Sequence, residues 1–186
     1  MADITGTFLL GPDSGRVLLK TGRAGLAARA GHDLTIEITR WSARVTIPAG
    51  EAAAAEITAE LDLGSLAVRE GTGGAKPLTD KDRRDIAATA GKILGQGTAS
   101  FTSTRVVPSG AGASAGAIDG TLTLNRRSRP VRLQVTSPGP GRYRGGATIK
   151  QTDFGITPYT GFFGALKLRD EIGVEVEADL DRADTR

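Results

Sequence analysis

The sequence offers few side chains that could perform catalysis or bind a metal. It contains one histidine, His32, and no cysteine. Zinc sites in proteins combine several imidazole, thiolate or carboxylate ligands, and a Ser-His-Asp triad would have to use this same His32. No pair of carboxylates stands out for general acid–base chemistry. We therefore predict no catalytic residue, no metal site and no cofactor.

His32 itself has three interpretations. It can open a strand beside Gly31 and form a hydrogen bond with Asp33 or a backbone carbonyl. It can lie at the mouth of a cavity and contact a ligand headgroup. It can also ligate haem or act in catalysis within a small barrel. The first interpretation is the one that most histidines in such a position satisfy.

Aromatic residues are scarce, and half of them lie in one stretch. The chain has five Phe, two Tyr and one Trp, and Phe154, Tyr159, Phe162 and Phe163 fall within ten residues that glycines interrupt. Exposed aromatic side chains on a loop normally pack on a partner. That partner is an apolar ligand, the end of a barrel or a second subunit, and we favour the wall of a ligand cavity.

The elements that would position these residues are mostly strands. Apolar and polar residues alternate through stretches such as 57–63 and 172–180, which is typical of half-buried strands. The parity of this alternation changes between Ile38 and Trp41, which predicts a bend near Thr39 and Arg40. One helix is predicted from residue 80 to about residue 91, with Thr79 as its N-cap.

Eight or nine strands at hairpin spacing favour a closed barrel or a sandwich in a single all-β domain. Few large residues would point inward, so an eight-stranded barrel lined by Leu, Ile, Val and Ala could hold one elongated apolar ligand. We predict one domain over 1–186, with a core at about 4–180 and a frayed C-terminal tail. The candidate cavity residues are His32, Leu34, Trp41, Phe101, Leu122, Phe154, Ile156, Tyr159, Phe162, Phe163 and Leu166.

Composition limits the other functions. Hydrophobic residues make up 39% and charged residues 24%, as in an ordinary globular protein, and the net charge of +3 comes from scattered arginines. The chain has no block of basic residues, so nucleic-acid binding is not predicted. No apolar run is long enough to span a bilayer, and the N-terminus lacks the features of a signal peptide. We expect a cytoplasmic protein without stable membrane insertion.

Short segments along the chain are similar, in order, to those of a known family. They are Ser14-Gly15-Arg16-Val17, Gly31-His32-Asp33, Phe101-Thr102-Ser103-Thr104, Gly120-Thr121-Leu122-Thr123-Leu124, Arg129-Pro130-Val131-Arg132-Leu133, Asp153-Phe154-Gly155-Ile156 and Leu166-Lys167-Leu168-Arg169-Asp170-Glu171-Ile172. This ordered set, spread over about residues 4–180, resembles the YceI family.

The resemblance implies a fold and a function. The fold is an eight-stranded antiparallel lipocalin-like β-barrel with one helix in a connection. The function is non-catalytic: a carrier or storage protein that holds a polyisoprenoid or similar amphiphile, such as an isoprenoid quinone or a prenyl phosphate. The alternatives are a haem-binding or enzymatic barrel that uses His32, and a structural or homodimerisation module that uses the aromatic loop at 154–164.

The sequence departs from the family pattern at two positions. Members often carry a histidine two residues after the Arg-Asp pair of the helix, where this chain has Ala87 after Arg84 and Asp85. This departure puts a headgroup contact at the helix in doubt. Members also often have glycine in a hairpin turn where this chain has Arg126, which concerns only the geometry of that turn.

Overall fold

The computed structural model describes residues 4–95, 97–110 and 114–185, except for the side chain of Phe162. Within these ranges the regular structure consists of thirteen strands, one α-helix and several short 3-10 turns. The strands are β1 (Gly6–Leu10), β2 (Gly15–Ala24), β3 (His32–Ile38), β4 (Trp41–Ile47), β5 (Glu56–Asp62), β6 (Leu66–Gly73), β7 (Thr98–Ser109), β8 (Ala115–Leu124), β9 (Arg127–Gly139), β10 (Arg142–Lys150), β11 (Thr160–Gly161), β12 (Leu166–Asp179) and β13 (Asp184–Thr185), and the helix is α1 (Asp80–Leu94).

All thirteen strands belong to one antiparallel sheet that curls into a half-barrel. The strand order is β13-β1-β4-β5-β7-β8-β9-β10-β12-β2-β3-β6, and β11 pairs with β12 beside this path. The run from β7 to β10 is a meander in which each strand pairs with the next along the chain. The predicted all-β class with a single helix is confirmed, and the curled sheet is consistent with a lipocalin-like barrel.

The predicted count of eight strands is wrong, because bends divide three long strands. Residues 11–14 separate β1 from β2, residues 39–40 separate β3 from β4, and residues 63–65 separate β5 from β6. The halves still pair as continuous strands would: β1 with β4, β2 with β3, β4 with β5 and β3 with β6. The short strands β11 and β13 complete the thirteen.

The buried residue Ser65 stabilises two of these bends. At the second and third bends the backbone N–H of Thr39 donates to the Ser65 carbonyl at 3.0 Å. The Ser65 hydroxyl, 5% exposed, accepts from the Arg40 N–H at 2.9 Å and donates to the Asp62 carbonyl at 2.7 Å. A bend leaves backbone groups without strand partners, and buried groups of this kind require hydrogen bonds. Ser65 therefore keeps two adjacent bends in register.

The helix begins as predicted and ends one turn later. The Thr79 hydroxyl accepts from the Asp82 N–H, and the Asp82 carboxylate accepts from the Thr79 N–H at 2.9 Å. The Thr79 hydroxyl, which also donates to the Asp82 carboxylate at 2.7 Å, and the Thr79 N–H hold the pKa of the Asp82 carboxyl below its ordinary value. The helix continues through Gly91 to Leu94, because its last turn packs on the core and a single internal glycine costs only about 1 kcal/mol.

Two predictions for the strand ends need correction. The sequence predicts a hairpin turn over residues 125–128, whereas only Asn125 and Arg126 form the turn, and both have a left-handed backbone. The tail predicted to fray after Asp181 instead forms β13, which pairs with Leu9 and Phe8 of β1. Leu180, 4% exposed, packs beside Phe8 and holds this segment in place. The Ser-, Ala- and Gly-rich composition of residues 108–116 predicts a flexible loop, of which residues 111–113 lie outside the described residues.

Candidate functional site

The concave side of the sheet encloses a cavity of about 990 Å³ with a mainly apolar wall. Alternation along the strands produces this wall, since every second residue of a strand faces the same side. On β4 the inward row is Trp41, Ala43, Val45 and Ile47, and on β5 it includes Ile57, Ala59 and Leu61. Several inward positions carry small side chains, so the interior stays open rather than filled.

The last turn of α1 completes part of the cavity wall. Ala90, Ile93 and Leu94 line the cavity, whereas Ile86 and Ala87 pack on the buried cluster formed by β3 and β6. Residues three and four apart lie on one face of a helix, which places the lining residues on one face near its C-terminus. The helix therefore serves as a wall segment and carries no polar group into the cavity.

Polar groups are few on this wall, and they lie toward its ends. Among the described lining residues Asp181 is the only charged one, and it lies near Tyr143 and the turn at Gly141. Burial, and secondarily the negative charge of Asp181, raises the pKa of the Tyr143 phenol. Gln151 lines the opposite part of the wall, and its side-chain amide donates to the Arg169 carbonyl at 2.9 Å.

Five of the predicted site residues lie on the cavity wall. They are Trp41, Phe101, Leu122, Ile156 and Tyr159. Phe101 and Leu122 face each other across the β7–β8 pair. The ring of Phe101 extends over Gly120, where an added Cβ would lie only 2.3 Å from the ring. Gly120 thus makes room for the ring of Phe101 on the cavity wall.

Two other predicted residues are buried in the protein core instead of lining the cavity. Leu34 packs with Ile36 and Val68 in the cluster that α1 covers. Phe154 is 1% exposed and belongs to the cluster that contains Val17 and Ile156. Neither side chain is among the residues that line the cavity.

His32 and Leu166 lie near each other outside the cavity lining. His32 opens β3, and its Nε2 donates to the Lys76 carbonyl at 2.8 Å. Since a carbonyl oxygen only accepts, this ring nitrogen carries the proton. Leu166 packs on Gly31, where a Cβ would approach its side chain to 2.6 Å. The structure therefore places His32 in the strand-opening arrangement expected from its neighbours.

The outer part of the aromatic loop points away from the core. Phe163 is fully exposed and has a left-handed backbone with φ of 55°. Tyr159 is 38% exposed and also lines the cavity, so it belongs to both surfaces. The side chain of Phe162 lies outside the described residues.

The base of the same loop is fastened by hydrogen bonds. Asn125 Nδ2 donates to the Phe154 carbonyl at 3.0 Å, and the Thr152 hydroxyl donates to the Asp170 carboxylate at 2.6 Å. This hydroxyl, with the Thr152 N–H, holds the pKa of Asp170 below its ordinary value. These hydrogen bonds and the burial of Phe154 hold the segment 151–156, which we call the plug, and Gln151 and Ile156 are its cavity-lining residues.

Sequence reasoning missed several residues of the cavity wall. Tyr143, Leu133 and Val135 line it, as do the three residues of the last helical turn. The strand residues could have been found from the sequence, because every second residue of β9 and β10 faces the same side as the other lining residues of its strand. The three helical residues could not have been found in this way, because only the packing of α1 shows which of its apolar residues face the cavity.

Two further properties complete the description of the site. Among residues 4–95, 97–110 and 114–185, no group of three or more His, Asp or Glu side chains is arranged to hold a metal ion. In the same part of the chain no helix is long and apolar enough to cross a membrane.

The fold and cavity define a hollow antiparallel β protein with an internal apolar site. The chain belongs to the YceI-like family, since the model of the YceI-like domain matches residues 19–180. A comparison with curated proteins finds no match.

Solved structures share this fold at low sequence identity. BcnA of Burkholderia cenocepacia superimposes with a TM-score of 0.61 at 19% identity, covering 88% of this chain and 94% of BcnA. A polyisoprenoid binding domain from Saccharophagus degradans, implicated in plant cell wall breakdown, gives 0.53 at 11% identity, with 94% and 97% covered. The YCEI protein of Campylobacter jejuni gives 0.51 at 16% identity, with 81% and 84% covered.

Proposed function

We propose that this protein binds one elongated apolar or amphiphilic lipid in its internal cavity and acts as a non-catalytic carrier. The observation that carries the proposal is the cavity of about 990 Å³ with an almost entirely apolar wall. Its volume lies at the upper end of the range for ligand sites, roughly 300–1,000 Å³. The family membership and the likeness to a polyisoprenoid binding domain support a lipid as the ligand.

A cavity of this size with an apolar wall offers water few hydrogen-bond partners. At about 30 Å³ for each water molecule, the cavity would hold on the order of 30 waters. Each buried water normally needs about three hydrogen bonds, and the described wall offers few polar partners, such as Tyr143 and Gln151. Replacing this water with a hydrocarbon chain gains about 0.8 kcal/mol for each buried methylene.

Within this class we propose a polyisoprenoid, with an isoprenoid quinone or a prenyl phosphate as the two specific candidates. A branched, flexible prenyl chain fits a wall built from Leu, Ile, Val and Ala, because such side chains make many small dispersion contacts. Asp181 at one end of the cavity disfavours an anionic headgroup there. A neutral quinone is therefore the better candidate for a headgroup at the Tyr143 end.

Trp41 provides a direct test. It is the only tryptophan of the chain, and it lies on the cavity wall. Titration with a soluble short-chain isoprenoid quinone should quench its fluorescence in a saturable manner with one site per protein molecule. Quenching that rises linearly without saturation, as with free tryptophan amide, would show that the quinone does not enter the cavity.

Native mass spectrometry would identify the natural ligand. The protein purified from its own host should carry a co-purifying lipid, and solvent extraction should release it. If no lipid co-purifies and neither prenyl quinones nor prenyl phosphates bind, the carrier function is refuted.

A further inference from the structure

Two loops place large apolar side chains in full contact with solvent at one end of the molecule. The side chains of Leu26 and Phe163 are both fully exposed. The two loops are joined directly, since the Ala27 N–H donates to the Ala165 carbonyl at 3.0 Å. We call Leu26, Phe163 and the partly exposed Tyr159 the outer apolar patch.

Phe163 is unusual in its backbone as well as in its exposure. Its φ of 55° and ψ of 33° lie in the left-handed region, which bulky L-residues rarely occupy. Such a conformation normally persists where packing of the side chain compensates for it, and Phe163 has no such packing within the chain. The loop therefore holds an aromatic side chain outward, which points to a partner outside the molecule.

The segments that carry the patch contain only basic charged residues, and the acidic residues Asp33 and Asp170 lie just beyond them in the chain. Segments 23–31 and 155–169 contain Arg23, Arg29, Lys167 and Arg169 and no acidic residue. Arg29, Lys167 and Arg169 are exposed. Arg23 is occupied within the protein, because its guanidinium donates to the Gly31 carbonyl at 2.5 Å. Three exposed cations beside two exposed apolar side chains are complementary to a surface that is apolar inside and anionic outside.

The patch also borders the cavity. Tyr159 and Leu168 both line the cavity wall, and the Leu168 N–H donates to the Tyr159 carbonyl at 3.0 Å. A lipid that passed between a bilayer and the cavity at this end would pass the exposed edge of Tyr159. The location of the patch thus matches the need of a carrier to meet the membrane where its ligand resides.

We propose that the outer apolar patch and its basic border dock this protein peripherally on an anionic lipid bilayer. The proposal rests on the proposed carrier function, because it supplies the route by which the cavity exchanges lipid. Leu26 and Phe163 insert among the acyl chains near the headgroups, and Arg29, Lys167 and Arg169 face the lipid phosphates. Interfacial binding of this kind combines apolar burial with electrostatic attraction to anionic lipids.

Vesicle flotation tests the docking. Ligand-free protein should float with phosphatidylcholine vesicles that contain phosphatidylglycerol, bind less to pure phosphatidylcholine vesicles, and dissociate as salt rises. The double variant Leu26→Ser with Phe163→Asn should partition about a hundredfold more weakly, since burial of each large side chain contributes roughly a tenfold factor. Asn is chosen because it tolerates the left-handed backbone of residue 163.

Charge variants separate the electrostatic part. Arg29→Gln with Lys167→Gln should lower partitioning into anionic vesicles by about fivefold for each cation removed. Arg105→Gln, a control that removes one exposed cation from β7 outside the patch, should leave it unchanged. A loss of about fivefold in the Arg105 control, the same as for each cation of the patch, would show that overall charge, and not this surface, governs binding.

Quinone quenching of Trp41 distinguishes the two proposals. The Leu26 and Phe163 variant should keep the quenching of the unaltered protein in vesicle-free solution, because neither side chain lines the cavity. Saturable quenching without flotation on anionic vesicles would refute docking and leave the carrier function standing. Flotation without saturable quenching would refute the carrier function. A concentration-dependent dimer that the Leu26 and Phe163 variant abolishes would assign the patch to a second copy and overturn docking.

Discussion

Filling part of the cavity should greatly weaken the binding of long ligands while the protein stays folded. Ala59 lies on the inward row of β5, directly opposite Ala43 of β4 and Phe101 of β7. The substitution Ala59→Phe adds a phenyl ring at a point where three neighbouring strands present one large and two small side chains. The new ring occupies cavity space instead of replacing a packed side chain.

The size of the effect follows from the hydrocarbon that the ring displaces. A phenyl group takes up about the space of one isoprene unit, which has about five carbon atoms. At about 0.8 kcal/mol for each buried carbon this displacement costs the ligand about 4 kcal/mol, or roughly several hundredfold in Kd. Stability should be maintained or rise, because the ring fills a void and gains dispersion contacts with the cavity wall.

Titration of Trp41 fluorescence with isoprenoid quinones of increasing chain length measures this change. The affinity of the unaltered protein should increase with chain length until the cavity is full, and that of Ala59→Phe should stop increasing earlier. Thr58→Phe is the matched control, since it adds the same ring to the exposed outward face of β5. Equal affinity of Ala59→Phe and Thr58→Phe for the longest quinone, with both variants folded by near-ultraviolet circular dichroism, would refute the cavity as the binding site.

Three further predictions concern the scaffold. Ser65→Ala should lower the free energy of unfolding by about 1–3 kcal/mol, because it leaves the Arg40 N–H without its acceptor in a buried bend. Urea denaturation measures this free energy, and an unchanged value would show that Ser65 does not stabilise the bends. Arg126→Gly should raise the same quantity by about 1 kcal/mol, since Arg126 has a φ of 57° in a two-residue hairpin that favours glycine. Asp82 has a lowered pKa through its bonds to Thr79, so its contribution to stability should be present above its unfolded pKa of about 3.9 and be lost as pH falls through the lower folded pKa. Carboxyl NMR titration should give a pKa for Asp82 below 3.9, and Asp82→Asn should flatten the acid limb of the stability curve; an ordinary pKa would contradict the capping box.

The inward and outward faces of the strands were predictable from the sequence because alternation reports them directly. The row Ile57, Ala59 and Leu61 lines the cavity, as a half-buried strand with one apolar face requires. The parity change near Thr39 and Arg40 also marks a real bend. The scarcity of large inward residues correctly indicated an underfilled interior, since the wall contains many alanines and glycines.

The strand count was less predictable, because a change of parity marks a bend without showing whether the bend divides one strand into two. The bend at 63–65 follows an unbroken apolar row and depends on the hydroxyl of Ser65, whose two hydrogen bonds join residues far apart in the chain. The C-terminal strand β13 had a polar sequence that resembles a frayed tail. Its pairing with β1 depends on the burial of Leu180 beside Phe8, which is a tertiary contact that local sequence does not encode.

The aromatic loop shows why clustering alone did not assign its members. Phe154 and Phe163 are nine positions apart in one loop, yet the first is 1% exposed and the second is fully exposed. The difference comes from the backbone: the hydrogen bond from Asn125 fixes the Phe154 carbonyl at the plug, whereas the left-handed Phe163 directs its side chain outward. Neither feature is visible in composition or periodicity.

This division of the loop limits how a ligand can enter. The base at 151–156 is held by Asn125, by Asp170 and by burial of Phe154, so displacing it would open the hydrophobic core. The outer part is linked to the cavity wall by the bond from the Leu168 N–H to the Tyr159 carbonyl and by the short pairing of β11 with β12. Entry at this end therefore requires movement of Tyr159 and its neighbours, while the plug stays in place. Since Phe163 lies four residues from Tyr159 in the same outer segment, insertion of Phe163 into a bilayer would pull on these links, and docking and opening would then be coupled through one short stretch of chain.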